Sequence, residues 1–307
     1  MKTQEQTFLA VDGTEIFYRV FLPETQPKAI LQIFHGMAEL SARYTDFAEY
    51  LTGNGIAVYI SDHRGHGKSI ASIEDYGVWP HRDEWWRIIA DLKQLKDIAT
   101  NEYPQIPYFV MGHSMGSFLA RTFITKYSTE LSGVIISGTG TNPTPVLRFG
   151  KFVAGTACLF EGYRSKASLL DKLSFGGYNK GYDAPYQWLS RDESQVMKYV
   201  DNNLCGGVFS NSFYRAFFTG LIYINKHSTG ELIDKNLKML FVSGDKDPVG
   251  NYGVGVKAAA EFYRNLNMPN IQMKLYPDAR HEILNEINRN EVYADLLNWI
   301  ESCMASR

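Results

Sequence analysis

The sequence predicts an α/β fold in which a mostly parallel sheet is covered by helices on both faces. The first observation is that short apolar runs alternate with segments of helical pattern, as in proteins whose strands are buried on both sides. The second is that this alternation stops after Gly138 and resumes with Leu237. The third is a composition of 45% hydrophobic and 21% charged residues over 307 positions, which is typical of a globular protein. One α/β core with a single insertion accounts for all three.

The core elements follow from the pattern in chain order. The chain begins with a hairpin, because Asp12-Gly13 is a favoured two-residue turn between apolar segments at 8–10 and 16–22. Buried strands are predicted at residues 29–34, 56–61, 108–111, 131–137, 237–243 and 271–276. Helices are predicted at about 42–54, 83–101, 118–127 and 290–302.

The predicted core comprises residues 1–138 and 236–307, and the insertion comprises residues 139–235. The insertion is aromatic-rich and favours helix, and it lies between two strands of the sheet, so we expect it to form a lid over the site. Most of its aromatic side chains are expected to pack in the interior, while some line an apolar channel. These aromatic residues are Phe149, Phe152, Phe160, Phe213, Phe217 and Phe218.

The bulk properties exclude several classes of partner and cofactor. A formal net charge of −2 gives no general attraction to nucleic acid. Three widely spaced cysteines favour free thiols in a reducing compartment, and the N-terminus has no apolar signal core, so we expect a cytoplasmic protein. No metal or cofactor is expected, because the loop histidines do not have the spacing of metal ligands. These are His35, His63, His66 and His113.

The segment Gly112-His113-Ser114-Met115-Gly116 is the most informative motif. It follows an apolar strand and precedes a helix, which is the context in which Gly-x-Ser-x-Gly presents a nucleophilic serine on a sharp turn. The glycines leave room for that turn, and the following helix directs its N–H groups toward the serine oxygen. Ser114 is therefore the predicted nucleophile.

A serine hydroxyl needs a base, and the base needs an acid that holds its tautomer. In this arrangement the chain order is serine, acid, histidine, which leaves His227 and His281. His281 follows the last predicted strand and is favoured, because catalytic groups in such sheets gather at the carboxyl ends of the strands. The acid comes from Gly244-Asp245-Lys246-Asp247-Pro248. Asp247 is the predicted acid, and the position of the two aspartates in this loop leaves Asp245 as an alternative.

The oxyanion that forms on serine attack requires two fixed N–H donors. The backbone of Met115, directly after the predicted nucleophile, is one. The other is expected from the loop after an earlier strand, where Gly36 lets the backbone approach closely and Met37 supplies the N–H.

Together these motifs resemble the α/β-hydrolase superfamily, and within it the branch of monoacylglycerol lipases, bacterial lysophospholipases and serine-aminopeptidase-like hydrolases. The resemblance spans nearly the whole chain and places the acid three residues after the glycine, which supports Asp247. One departure is Ala38-Glu39-Leu40, where many relatives have Gly-Glu-His. The matching segments are 35–39 with Arg43-Tyr44, 62–69, 112–116, 175–180, 188–192, 244–248 and 279–282.

The resemblance implies hydrolysis of a carboxylic ester through an acyl-enzyme, with monoacylglycerols or lysophospholipids as substrates. A second hypothesis is a peptidase or amidase, in which an acidic residue of the insertion meets a free amino group. The candidates for that acid are Glu161, Asp171 and Asp183. A third is a catalytically silent lipid-binding protein.

The insertion also offers a hypothesis for membrane contact. Its apolar helices carry basic residues and could rest on a membrane or micelle surface to collect lipid. These residues are Arg148, Lys151, Arg164 and Lys166.

Overall fold

A computed structural model describes residues 2–305. Eight strands form one sheet in the order β1-β2-β4-β3-β5-β6-β7-β8. The strands are β1 (Lys2–Leu9), β2 (Glu15–Leu22), β3 (Ala29–Phe34), β4 (Ile56–Ser61), β5 (Tyr108–His113), β6 (Gly133–Ser137), β7 (Met239–Gly244) and β8 (Ile271–Tyr276). Strands β3 to β8 pair in parallel, and β1 and β2 pair antiparallel with their neighbours.

Helices cover both faces of the sheet. One face packs against α1 and α10, and the other packs against α2, α3 and α9. The helices are α1 (Thr45–Gly53), α2 (Glu84–Glu102), α3 (Met115–Tyr127), α4 (Thr144–Phe160), α5 (Ser168–Phe175), α6 (Glu193–Val200), α7 (Asn211–Ile224), α8 (His227–Gly230), α9 (Val254–Arg264) and α10 (Arg289–Ala305). The predicted fold class is confirmed.

The register of the parallel strands brings the predicted site to one edge. Phe34 at the end of β3 pairs with Gly112 of β5, and Gly112 also pairs with Ile136 of β6. Gly244 and Tyr276 pair at the ends of β7 and β8. The loops that follow β3, β5, β7 and β8 therefore leave the sheet side by side, and these loops carry all the residues predicted to do chemistry.

Helices α4 to α8 form the insertion, which lies between the end of β6 at Ser137 and the start of β7 at Met239. Helix α7 packs on α2 and α3 of the core, and α4 packs along α7. The predicted boundaries at 139 and 235 fall in the connections that flank this set of helices.

Helix α9 has no counterpart among the predicted elements. Its buried residues Val256, Ala259, Ala260 and Tyr263 have helical spacing, which is the signal that would have identified it. The hairpin is also longer than predicted, because β1 pairs with β2 along its full length from Lys2 to Leu9.

The expectation that the insertion aromatics pack inside or line a channel is wrong for Phe152 and Phe160, which are exposed and lie outside the cavity lining. Phe213, Phe217 and Phe218 of α7 are buried. Phe149, Phe152 and Phe160 of α4 are 66%, 70% and 85% exposed. The physical reason is that α4 is a surface helix whose inner stripe is already filled by Leu147, Gly150 and Ala154.

Within residues 2–305 no helix combines the length and the apolar character that a membrane span requires. Cys158, Cys205 and Cys303 are free thiols.

Candidate active site

Ser114 lies on the turn between β5 and α3 with φ of 52° and ψ of −119°. Positive φ is strained for a residue with a side chain, and it lifts the serine out of the sheet. The turn depends on both glycines of the motif. A Cβ at Gly116 would overlap the carbonyl oxygen of Phe34, and one at Gly112 would overlap that of Gly116. The strand and helix can approach this closely only because both positions are glycine.

His281 and Asp247 form a buried pair at the same edge of the sheet as Ser114. The imidazole Nδ1 lies 2.9 Å from the Asp247 Oδ2, and the carboxylate is fully buried. The same carboxylate accepts hydrogen bonds from the Ser243 hydroxyl at 2.9 Å and the Val249 N–H at 2.8 Å. These contacts hold the Asp247 carboxylate in place, and the carboxylate in turn orients the His281 imidazole with Nδ1 toward it. Ser114 and His281 line one cavity.

Burial lowers the pKa of His281, but the Asp247 carboxylate, with smaller contributions from Glu282 and Glu39, outweighs it and the net pKa is raised above its ordinary value. Two rings flank the imidazole: His113 at a centroid distance of 4.6 Å and Trp188 at 5.2 Å. Burial also holds the pKa of His113 well below its usual range, so this neighbour is neutral. The site therefore favours a proton on His281 and not on His113.

The alternative residues lie elsewhere. Asp245 uses its Oδ1 to accept the N–H of Asp278 at 2.8 Å, so it shapes the turn after β8. His227 is exposed on α8, 3.8 Å from Glu231. The structure thus brings Ser114, Asp247 and His281 together and places both alternatives away from the cavity.

Met37 and Met115 also line the cavity beside Ser114. Met115 is the first residue of α3, where N–H groups have no acceptor inside the helix. The loop that carries Met37 is a tight turn, because the Gly36 N–H donates to the Glu39 carboxylate at 2.5 Å and Ala38 has φ of 60°. The two backbone segments chosen as oxyanion donors therefore border the same space.

The cavity has a volume of about 690 Å³ and passes between the sheet edge and the insertion. Most of its wall is apolar, and α4, α5 and α7 each contribute apolar side chains to it. Representative residues are Leu147, Val153, Leu170, Phe217, Phe218 and Leu221. Phe149, Phe217 and Phe218 are among the lining residues, so some insertion aromatics line an apolar channel as predicted.

The wall near His281 is polar. Glu39 and Glu282 line it, and the buried Arg43 guanidinium lies between them, with Nε 3.6 Å from Glu39 and Nη2 on Glu282. Burial, with the nearby Glu282 charge, raises the pKa of Glu39 to about 7, against the opposing effect of Arg43 and hydrogen bonds from Tyr44 and Gly36. Glu39 and Arg43 lie close together in the sequence, but their partner Glu282 is 239 positions from Arg43, so no local pattern relates it to them.

The loop histidines have structural partners. His35 Nε2 accepts the His63 N–H at 2.9 Å, and the His63 ring bonds to the His35 carbonyl at 3.1 Å. The Nδ1 of His66 lies 2.9 Å from the Arg64 carbonyl. Across residues 2–305 no group of three or more His, Cys, Asp or Glu side chains is arranged to hold a metal ion.

The profile of the family described as serine aminopeptidase, S33, matches residues 25–288. The chain belongs to this family of α/β hydrolases. A relative is the monoacylglycerol lipase of Mycolicibacterium smegmatis, which is 29% identical over 303 residues and aligns over 97% of each chain.

Two solved structures extend the comparison. A thermostable carboxyl esterase from Bacillus coagulans, determined in complex with glycerol, superposes with a TM-score of 0.90 at 28% identity and covers 99% of both chains. A soluble variant of the Saccharomyces cerevisiae monoglyceride lipase shares the fold, with a TM-score of 0.76 at 19% identity over 98% of this chain and 94% of that one. This protein is a hydrolase related to monoacylglycerol lipases and esterases.

Proposed function

We propose that this protein is a serine hydrolase that cleaves monoacylglycerols through an acyl-enzyme. The observation that carries the proposal is the position of Ser114 and the Asp247–His281 pair at the meeting point of an apolar channel and a polar pocket end. An enclosed apolar wall suits an acyl chain, and the polar end suits a small hydroxylated leaving group.

The proposed reaction has two stages, acylation and deacylation of Ser114, and the same residues act in both. Ser114 Oγ attacks the ester carbonyl carbon while His281 Nε2 takes its proton, and Asp247 stabilises the imidazolium. The N–H groups of Met37 and Met115 hold the oxyanion. Collapse breaks the ester bond and His281 gives its proton to the glycerol oxygen. Water, deprotonated by His281, then attacks the carbonyl carbon of the acyl-serine, the bond from that carbon to Ser114 Oγ breaks, His281 returns its proton to Oγ, and the fatty acid leaves.

The charge of the cavity favours a neutral headgroup over a phosphate. Three carboxyl groups line it, those of Glu39, Asp171 and Glu282, whereas no lysine or arginine among residues 2–305 does. Arg43 is buried behind Glu39 and Glu282 and is already paired with both. A phosphate near these carboxyl groups would meet groups of like charge, with no lysine or arginine of the lining to pair with. We therefore propose monoacylglycerols ahead of lysophospholipids.

The insertion, at about residues 139–235, is proposed as a lid that also contacts lipid. Its α4 exposes large apolar side chains next to the cavity, and Phe149 both lines the cavity and is exposed. Arg148 and Lys151 lie on the same helix. Arg164 and Lys166 take a different role, because they bond to the core at Asp75 and the Tyr76 carbonyl.

An amidase is a second candidate, favoured by one observation. Of the three acids considered for binding an amino group, only Asp171 lines the cavity, where it accepts a hydrogen bond from the Tyr214 hydroxyl at 2.9 Å. Glu161 bonds to Asn211 instead, and Asp183 lies outside the cavity lining. Burial raises the pKa of Asp171, and an ammonium group beside it would reverse that shift.

The test is a set of initial rates on matched substrates, with Ser114→Ala as the blank. The substrates are monoacylglycerols, lysophosphatidic acids and lysophosphatidylcholines of the same acyl chain, together with aminoacyl amides. We expect the monoacylglycerols to have the highest kcat/KM and the lysophosphatidic acids the lowest. Faster turnover of amides than of any ester would favour the second candidate function, an amidase. Fluorophosphonate labelling of wild type but not Ser114→Ala would exclude a silent binding protein.

A further inference from the structure

The insertion does more than cover the cavity. Residues 187–191, which we call the clamp, run alongside the loop that carries His281. The Glu282 N–H donates to the Leu189 carbonyl at 2.7 Å, and the His281 N–H donates to the Trp188 carbonyl at 3.4 Å. The Ser190 hydroxyl donates to the Asn285 carbonyl at 2.8 Å.

Charged side chains reinforce this pairing on both sides of His281. Arg280 donates from Nη1 to the carbonyl oxygens of Gln187 at 2.5 Å and Ser190 at 3.0 Å. The carboxylate of Glu286 is fully buried and accepts from the Arg280 N–H at 2.8 Å and from Arg191 Nε at 2.8 Å. The backbone before and after the histidine is thus tied to the insertion.

The clamp also contributes a side chain that contacts the His281 imidazole. The Trp188 ring lies against His281 at a centroid distance of 5.2 Å and an interplanar angle of 38°. Tyr178 also contacts the Trp188 indole, at a centroid distance of 5.1 Å and an interplanar angle of 66°. His113 is a second ring neighbour of the imidazole, so His281 contacts two rings in addition to the Asp247 carboxylate.

We infer that the clamp positions the proposed base, and that Trp188 is a positioning residue that holds the His281 imidazole against Asp247 and excludes water from that hydrogen bond. The inference rests on the proposed function for its catalytic meaning. Its consequence is that the insertion contributes to turnover even of a short ester that makes little use of the acyl channel. A residue that merely formed the acyl wall would alter KM for long chains and leave kcat for the short ester unchanged.

The experiment compares Trp188→Leu, Trp188→Phe and a matched control, Trp86→Leu. Trp86 lies on α2 against Tyr223 and outside the cavity lining. On a short aryl ester we expect Trp188→Leu to lower kcat about tenfold with KM within about twofold. Trp188→Phe should recover most of this loss and Trp86→Leu should match wild type. Equal kcat for the two leucine variants would overturn the inference, as would a change confined to KM.

A second measurement needs no substrate, so it separates failure of this inference from failure of the proposed function. The far-downfield proton NMR resonance of the His281 Nδ1–H reports its hydrogen bond to Asp247. We expect a sharp resonance in wild type and Ser114→Ala, and broadening by exchange with water in Trp188→Leu. Ser190→Ala, which removes one hydrogen bond of the clamp, is the milder variant should Trp188→Leu not fold, and we expect partial broadening. An unchanged resonance in every clamp variant would refute the inference.

Discussion

The wall of the cavity that comes from the sheet edge and the wall that comes from α4 and α5 are built from different interactions. At the sheet edge, Asp247 and His281 are buried and joined by a 2.9 Å hydrogen bond, and Ser114 is held in a strained conformation. Helices α4 and α5 line the cavity with apolar side chains, several of which are also exposed. The first wall fixes atoms for chemistry, and the second provides area for binding.

This difference predicts that substitutions at the sheet edge change kcat, whereas substitutions in α4 and α5 change KM and lipid binding. The clamp is the exception, because it belongs to the insertion but contacts the loop of His281. Four experiments test or refine the comparison.

The largest effect is expected from the acid. Asp247→Asn should reduce kcat by about 10⁴-fold, because an amide cannot hold the required tautomer of His281 or stabilise its charged form. The matched control is Asp245→Asn, whose Oδ1 still accepts the Asp278 N–H. We expect its kcat to stay within about threefold of wild type. Rates on a short ester measure both variants, and the reverse order would assign the acid to Asp245.

Two glycine-to-alanine substitutions, one at the sheet edge and one in α4, compare the two walls through the free energy of unfolding. Gly116→Ala forces a methyl group into the Phe34 carbonyl and should lower the free energy of unfolding by at least about 3 kcal/mol. Gly155→Ala lies in α4, where an added Cβ meets nothing within 4 Å. It should raise the free energy of unfolding by about 0.5–1 kcal/mol through helix propensity. Denaturant unfolding measures both variants, and similar values would show that the turn around Ser114 tolerates a side chain at position 116.

Exposed side chains of α4 test the proposed lipid contact. Phe152→Ser with Phe160→Ser removes two large apolar groups and should weaken sedimentation with phosphatidylcholine/phosphatidylglycerol vesicles about tenfold. Turnover of a short ester should not change. Val11→Ser is the control, because Val11 is 97% exposed on the hairpin at β1 and β2 and lies outside the cavity lining. Equal binding of the control and the double variant would place the lipid contact elsewhere.

The smallest effect concerns pH. The proposed base must be neutral to accept the Ser114 proton, so activity falls as the pH drops through the raised pKa of His281, above its ordinary 6.5. The Glu39 carboxylate helps to raise that pKa, so Glu39→Gln should move the acid limb of kcat/KM to lower pH by about a few tenths of a unit. Glu49→Gln, on the exposed face of α1, should leave the profile unchanged. A shift of the Glu39 variant toward higher pH would contradict this account of the electrostatics.

Local sequence is sufficient to predict two parts of the candidate site. The turn around Ser114 needs glycines at fixed offsets, and the distance from Gly244 to Asp247 is set within one loop, so both are visible in short segments. The contact of Arg43 with Glu282 and the clamp on His281 join distant segments that no local pattern relates. The exposure of Phe152 could not be read from its residue type, because hydrophobicity alone does not distinguish a core stripe from a lipid-facing one.

The most direct test of the central claim is to trap the acyl-enzyme. The protein would be mixed with a chromogenic monoester, quenched in acid during the first turnovers, and digested for mass spectrometry of the peptide that contains Ser114. The account predicts an acyl group on Ser114, its slower formation in Asp247→Asn, and its absence in Ser114→Ala. An acyl group on another residue, or undiminished hydrolysis by Ser114→Ala, would contradict it.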